Sequence, residues 1–230
     1  MDNEDFGNNR LSLYATLLLP FRNQNPQVLP LVQQLLASND KRLKYTTAML
    51  LLRNGLALPD TTLTYFAALD EFRYELYNDL KTLGEQGLFP AAYKTQQLHA
   101  QSLLATYQAY GKPDTLVFLE KLPVQHGGAE AVVYFFKYKE KKEDNTWKLA
   151  AAGPYANDPT VMDPLWSRED DGESEINFTR LTGKKLAADT PVGEQVKKLL
   201  KQLQYSHRKS AVQFYEDDNP YGDELIQARF

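Results

Sequence analysis

The chain contains no cysteine. Disulfides, thiolate nucleophiles and cysteine-ligated zinc or iron–sulfur centres are therefore excluded, and the redox compartment is left open. Histidine is scarce. His99, His126 and His207 lie far apart and in no HExxH or HxH spacing, so a metal site would have to be assembled from distant segments. The GxSxG elbow, the P-loop and GxGxxG are all missing. No run approaches the roughly 20 apolar residues that span a bilayer. The start, Met-Asp-Asn-Glu-Asp, is acidic where a signal peptide is basic, and Leu17-Leu18-Leu19 is broken by Pro20. The sequence thus reads as a soluble chain with no signal peptide, its compartment unassigned. It points to no catalytic, cofactor-binding or metal-binding residue.

What is present is ordinary for a globular protein of 230 residues: 43% hydrophobic and 24% charged, with a net charge of -4. That charge gives no reason to expect a polyanionic partner for the molecule as a whole. Aromatics are plentiful, 14 Tyr and 11 Phe against 2 Trp, which argues against disorder through most of the chain.

The clearest single element is Asp40 to Gly55. Asp40 suits the N-cap, Gly55 suits the left-handed residue that closes a helix, and Arg53 sits at the negative end of the dipole. Between them run two apolar lines, Leu43, Thr47, Leu50 and Leu51, and Tyr45, Ala48, Met49 and Leu52. Together they exceed the single stripe of a surface helix, so the spacing predicts a helix packed on two sides.

Other helices flank it. Leu11, Tyr14, Leu17 and Leu18 keep helical spacing up to Pro20, and Val28, Leu31, Val32, Leu35 and Leu36 mark a second helix. Leu63, Phe66 and Leu69 mark a short one after Pro59, and Phe72, Leu76, Leu80 and Leu83 another. A long one is expected from Ala91 to Tyr110. Beyond Pro113 the texture changes to strands at 116–119, Val132–Lys139, Trp147–Ala152 and 176–181. An amphipathic helix carrying Val192, Val196, Leu199, Leu200 and Leu203 follows. The expected fold is α+β: a HEAT-like helical array over 9–111, then a small antiparallel sheet with a covering helix over 112–215. Residues 1–8 and 216–230 are expected to be flexible.

Charge and aromatic clusters carry the remaining signals. Between Arg180 and Ser210 cations outnumber the acids Asp189 and Glu194, and Lys197, Lys198 and Lys201 form a basic ridge suited to an anionic surface. The acids of 163–175 and of the tail offset that ridge, which the bland reading makes a solvated helix face. Tyr134-Phe135-Phe136-Lys137-Tyr138-Lys139 interleaves lysine with aromatics but lacks the glycines of the RNA-binding strand signature, so nucleic acid is not the expected partner. Asp170-Asp171-Gly172-Glu173 lacks the alternating register of a calcium loop.

Lys44-Tyr45-Thr46-Thr47-Ala48-Met49-Leu50-Leu51-Leu52-Arg53-Asn54-Gly55, Glu75-Leu76-Tyr77, Phe89-Pro90-Ala91-Ala92-Tyr93-Lys94, Val133 to Lys139 and Trp147-Lys148-Leu149 form one set of apolar-patterned segments. This set resembles the carboxy-terminal accessory region of bacterial proteins whose amino-terminal part is a TraB/GumN-like metallohydrolase. The resemblance spans about 40 to 215 and includes none of that family's catalytic histidine and glutamate motifs. It implies a non-catalytic part of a longer bacterial protein, with any export a property of that protein. The function expected is a scaffold or protein-interaction module that contacts a protein partner or neighbouring domain through Tyr74, Tyr93 or Tyr107, tyrosine being enriched at such contacts. The competing expectation is an enzyme or small-ligand binder with a cleft between the two parts, drawing on His126, Asp163 or Glu175.

Overall fold

The computed structural model describes residues 3–106, 112–165 and 177–217, with the backbone alone for 3–9 and 206–217. The fold is α+β. Among the described residues there are seven α-helices and one four-stranded antiparallel sheet, divided into two compact units, Met1–Tyr93 and Lys94–Phe230.

The first unit is helical: α1 (Asn3–Leu18), α2 (Val28–Gln34), α3 (Lys41–Arg53), α4 (Asp60–Ala68) and α5 (Asp70–Thr82). Helix α3 starts where its cap predicts, Asp40 Oδ1 accepting from the Leu43 N–H at 2.7 Å. It buries Leu43, Tyr45, Thr47, Ala48, Met49 and Leu51, while Leu50 and Leu52 are half-buried. One side meets α1 and α2, where Leu51 packs with Ala15, Leu19, Val28 and Val32.

The other side of α3 meets α4 and α5 through an aromatic cluster. Tyr45 stacks on Phe72 at 5.0 Å and meets the ring of Phe66 edge-on at 5.1 Å. Its hydroxyl donates to Asp79 Oδ2 at 2.7 Å. Outside this cluster, Arg42 reaches both oxygens of Glu75 and Lys41 reaches Glu71, ion pairs exposed enough to be worth little each.

The second unit is a sheet covered on both faces. Its helices are α6 (Gln96–Thr106) and α7 (Val192–Asp217), and its strands β1 (Thr115–His126), β2 (Ala129–Lys139), β3 (Lys148–Ala156) and β4 (Arg180–Lys185) pair in sequence order. Gly127 and Gly128, both at positive φ, make the β1–β2 hairpin turn. Val133 and Phe135 point to one face, where they pack with Val196, Leu199 and Leu203 of α7. Tyr134 points to the other, where its hydroxyl donates to Gln96 Oε1 of α6 at 2.9 Å. The Gln96 amide in turn donates to the carbonyls of Ala156, Asp158 and Val161, which ties α6 to the segment after β3. A single covering helix was the expectation. The sheet has two because β2 is apolar on both sides and each face needs a partner.

Several boundaries differ from those read off the sequence. The helix expected from Ala91 to Tyr110 is a short 3-10 turn at Ala91–Tyr93 followed by α6, which starts at Gln96 and packs on the sheet. The strand expected at 116–119 runs from Thr115 through Pro123 to His126. The third strand continues through Gly153-Pro154 to Ala156, and the fourth begins four residues later than expected, at Arg180. Helix α1 starts at Asn3, inside the stretch expected to be flexible. Residues 107–111, 166–176 and 218–230 lie outside the described residues.

Two outcomes follow for the helical core. Leu51→Ala should lower unfolding free energy by about 3 kcal/mol through an unfilled cavity, and Asp40→Ala by about 1 kcal/mol through the lost cap, read from urea unfolding by circular dichroism. Burial, then the bond to Asp79, holds the Tyr45 hydroxyl far above the ordinary tyrosine range. A folded-state value raised above the unfolded one gives stability that is complete below about pH 10 and lost as pH rises beyond it. Alkaline unfolding should therefore release Tyr45 tyrosinate absorbance with the unfolding transition, and Tyr45→Phe should flatten the decline.

Candidate functional site

Each residue singled out in the sequence has a defined environment where it falls within the described residues. Tyr74 is half-buried on α5. Tyr93 is half-buried and its ring lies under the Arg73 guanidinium at 5.8 Å. That guanidinium is itself buried, donating to the carbonyls of Ala67 and Ala68 at the end of α4 and to Asp70. Tyr93 is thus occupied inside its own unit. Tyr107 lies outside the described residues, as does Glu175. His126 ends β1, and Asp163 sits in the segment bridged back to Tyr155 through Pro164.

The aromatic–lysine run of β2 is core. Tyr134, Phe135, Phe136 and Tyr138 are buried, and Lys137 and Lys139 stand over the Trp147 ring at 4.6 and 4.9 Å. Lys197, Lys198 and Lys201 are exposed on α7, whose opposite face carries Val196, Leu199 and Leu203 against the sheet. They make no hydrogen bond or ion pair among the described residues. Among the described residues no three His, Asp or Glu gather as a metal-holding group, and no helix is long and apolar enough to cross a membrane.

The most unusual surface is on α1 and α2. The sequence periodicity picks out Leu11, Tyr14, Leu17 and Leu18, yet all four are exposed, and Ala15 of α1 and Leu19 of the 3-10 turn after it are buried instead. Leu13, Tyr14, Leu17, Phe21 and Leu31 are each more than half exposed. From Leu11 to Asn39 the sole charged residue is Arg22. Its guanidinium donates to the carbonyls of Leu19 and Asn54. A scattered exposed leucine needs no explanation, but Leu13, Tyr14 and Leu17 share one side of α1, with Phe21 and Leu31 also exposed beyond it.

No family model, curated protein or solved structure matches the chain.

The second feature is a cleft in the sheet unit, about 380 Å³, between β4 and α7. Leu181, Leu199, Leu203 and Tyr138 supply its apolar lining, and Glu140, Arg180, Thr182, Lys184 and Gln202 its polar lining. Sequence reading missed it, since its walls come from three separate segments, 138–140, 180–184 and 199–203. The lone signal available was Gly183 within a strand, which often marks a bend or a close approach. Gly183 indeed adopts φ 67°.

Because the three ridge lysines are exposed and unengaged, replacing all of them by glutamine should move the urea midpoint by less than about 0.5 kcal/mol of stability per site. A larger loss would mean that the ridge holds the fold together.

Proposed function

We propose that this chain is a non-catalytic interaction module whose helical unit docks a protein partner or a neighbouring domain through the exposed face of α1 and α2. The observation that carries this reading is the stripe Leu13, Tyr14, Leu17, Phe21 with Leu31, more than half exposed on a surface almost without charge. Interface cores are depleted in charge and enriched in aromatics, which fits that composition. Helices packed side by side offer an extended contact surface in the manner of a HEAT-like array. An accessory role in a longer bacterial protein, as the resemblance to TraB/GumN-like proteins implies, is compatible with a face kept for a neighbour.

The reading moves the expected contact away from Tyr74 and Tyr93. Tyr93 already packs against Arg73 in its own unit, whereas the α1 stripe has its buried side fully used by Ala15 and Leu19 and its outer side open.

The expected result is specific. A Leu13→Lys/Leu17→Lys variant should keep the wild-type melting temperature, since both side chains are mostly in water, and lose at least about tenfold in affinity for a partner that the wild-type chain binds. Tyr74→Ala and Tyr93→Ala should leave that affinity within about threefold. Retention of binding by the double-lysine variant, measured by surface plasmon resonance, sinks the assignment.

A further inference from the structure

We propose that the cleft between β4 and α7 binds a small amphipathic carboxylate, with the carboxylate held by Tyr138, Arg180 and Lys184 and its short apolar body on Leu181, Leu199 and Leu203. The site belongs to the sheet unit and stands independently of the α1 surface.

The volume, about 380 Å³, lies in the range of small-ligand sites and suits a compact molecule. Leu181, Leu199, Leu203 and Tyr138 are all buried, and Leu199 and Leu203 belong to the core between the sheet and α7. The cationic side groups are incompletely used. The Arg180 guanidinium makes no hydrogen bond or ion pair among the described residues. Lys184 Nζ donates to Gln202 Oε1 at 2.8 Å, which satisfies one of its protons and none of its charge. The single carboxylate on the wall, Glu140, is already neutralised by Lys148 Nζ at 2.6 Å. The cleft therefore carries a positive excess that an anion would relieve.

Tyr138 adds a second, independent sign. Its side chain is 1% exposed, and its hydroxyl oxygen accepts from the Gly183 N–H at 3.2 Å. That bond uses the oxygen and leaves the O–H proton without an acceptor among the described residues. A buried donor without an acceptor is costly, and it is satisfied if an oxygen sits against it. Burial raises the hydroxyl above the ordinary tyrosine range, so it keeps its proton at neutral pH and stays a donor.

The ligand class follows from the two halves of the lining. A guanidinium, an ammonium and a phenol together match the two oxygens of a carboxylate, since arginine reads a carboxylate through paired N–H groups. The leucines would gain nothing from a bare inorganic anion but would bury an alkyl or aryl body at about 25 cal/mol per Å².

The test is a titration of the full chain, labelled with nitrogen-15, with three probes: hexanoate, its neutral amide hexanamide, and inorganic phosphate. Hexanoate should shift the amide signals of Tyr138, Thr182, Gly183, Lys184 and Gln202 saturably, and hexanamide should bind at least about tenfold more weakly. Arg180→Gln should weaken hexanoate about tenfold without lowering the melting temperature, because the replaced group has no side-chain partner among the described residues. Tyr138→Phe should weaken it several-fold while leaving the α1 surface unaffected. Equal binding of hexanoate and hexanamide overturns the proposal, as does undiminished binding by Arg180→Gln or no saturable shift at these amides. Phosphate binding there without hexanoate binding overturns the carboxylate assignment.

Discussion

The second unit depends on strand β2 burying both of its faces. A strand that alternates apolar and polar residues needs one covering layer, but Val133 and Phe135 on one side and Tyr134, Phe136 and Tyr138 on the other leave no polar face to expose. Two helices are therefore required. Helix α7 covers the first face with Val196, Leu199 and Leu203, and α6 covers the second, where Gln96 bonds Tyr134 and three carbonyls of the segment after β3. Placing α6 there also decides which unit it belongs to. The cleft lies at the β4 end of this unit, where Tyr138 and Leu181 of the sheet and Leu199 and Leu203 of α7 line it.

The first unit poses the opposite problem. Helix α3 is satisfied on two sides, by Ala15, Leu19, Val28 and Val32 on one and by Phe66 and Phe72 on the other. Among the described side chains of α1, Ala15 is buried while Leu11, Leu13, Tyr14, Leu17 and Leu18 are exposed. Leaving that face in water forgoes burial worth about 2 kcal/mol for each large side chain. That forfeit is the observation on which the proposed contact at α1 and α2 rests.

Much of the fold was legible from the chain itself, and the misreadings have physical causes. Helix α3 was legible because its signals are local: a cap, an apolar band and a closing glycine within one segment. The supposed helix from Ala91 misled because Pro90 and the alanines look like a helical start, whereas the chain makes a short 3-10 turn there and begins α6 at Gln96. The basic ridge was legible as an exposed face because Lys197 and Lys201 lie one helical turn apart, opposite the leucines of α7. The cleft was illegible because Tyr138, Arg180 and Gln202 meet through pairing and packing that no local pattern encodes.

The sequence alone determined the α+β class, the absence of cysteine chemistry and the position of the capped helix, since composition and short-range spacing suffice for these. Tertiary structure decided which apolar faces find partners. Periodicity says that Leu13 and Leu17, or Val133 and Phe135, share a side of their element; it carries no information on whether another element lies opposite. That depends on contacts between residues distant in the chain, and on this chain it left the face of α1 open and closed both faces of β2.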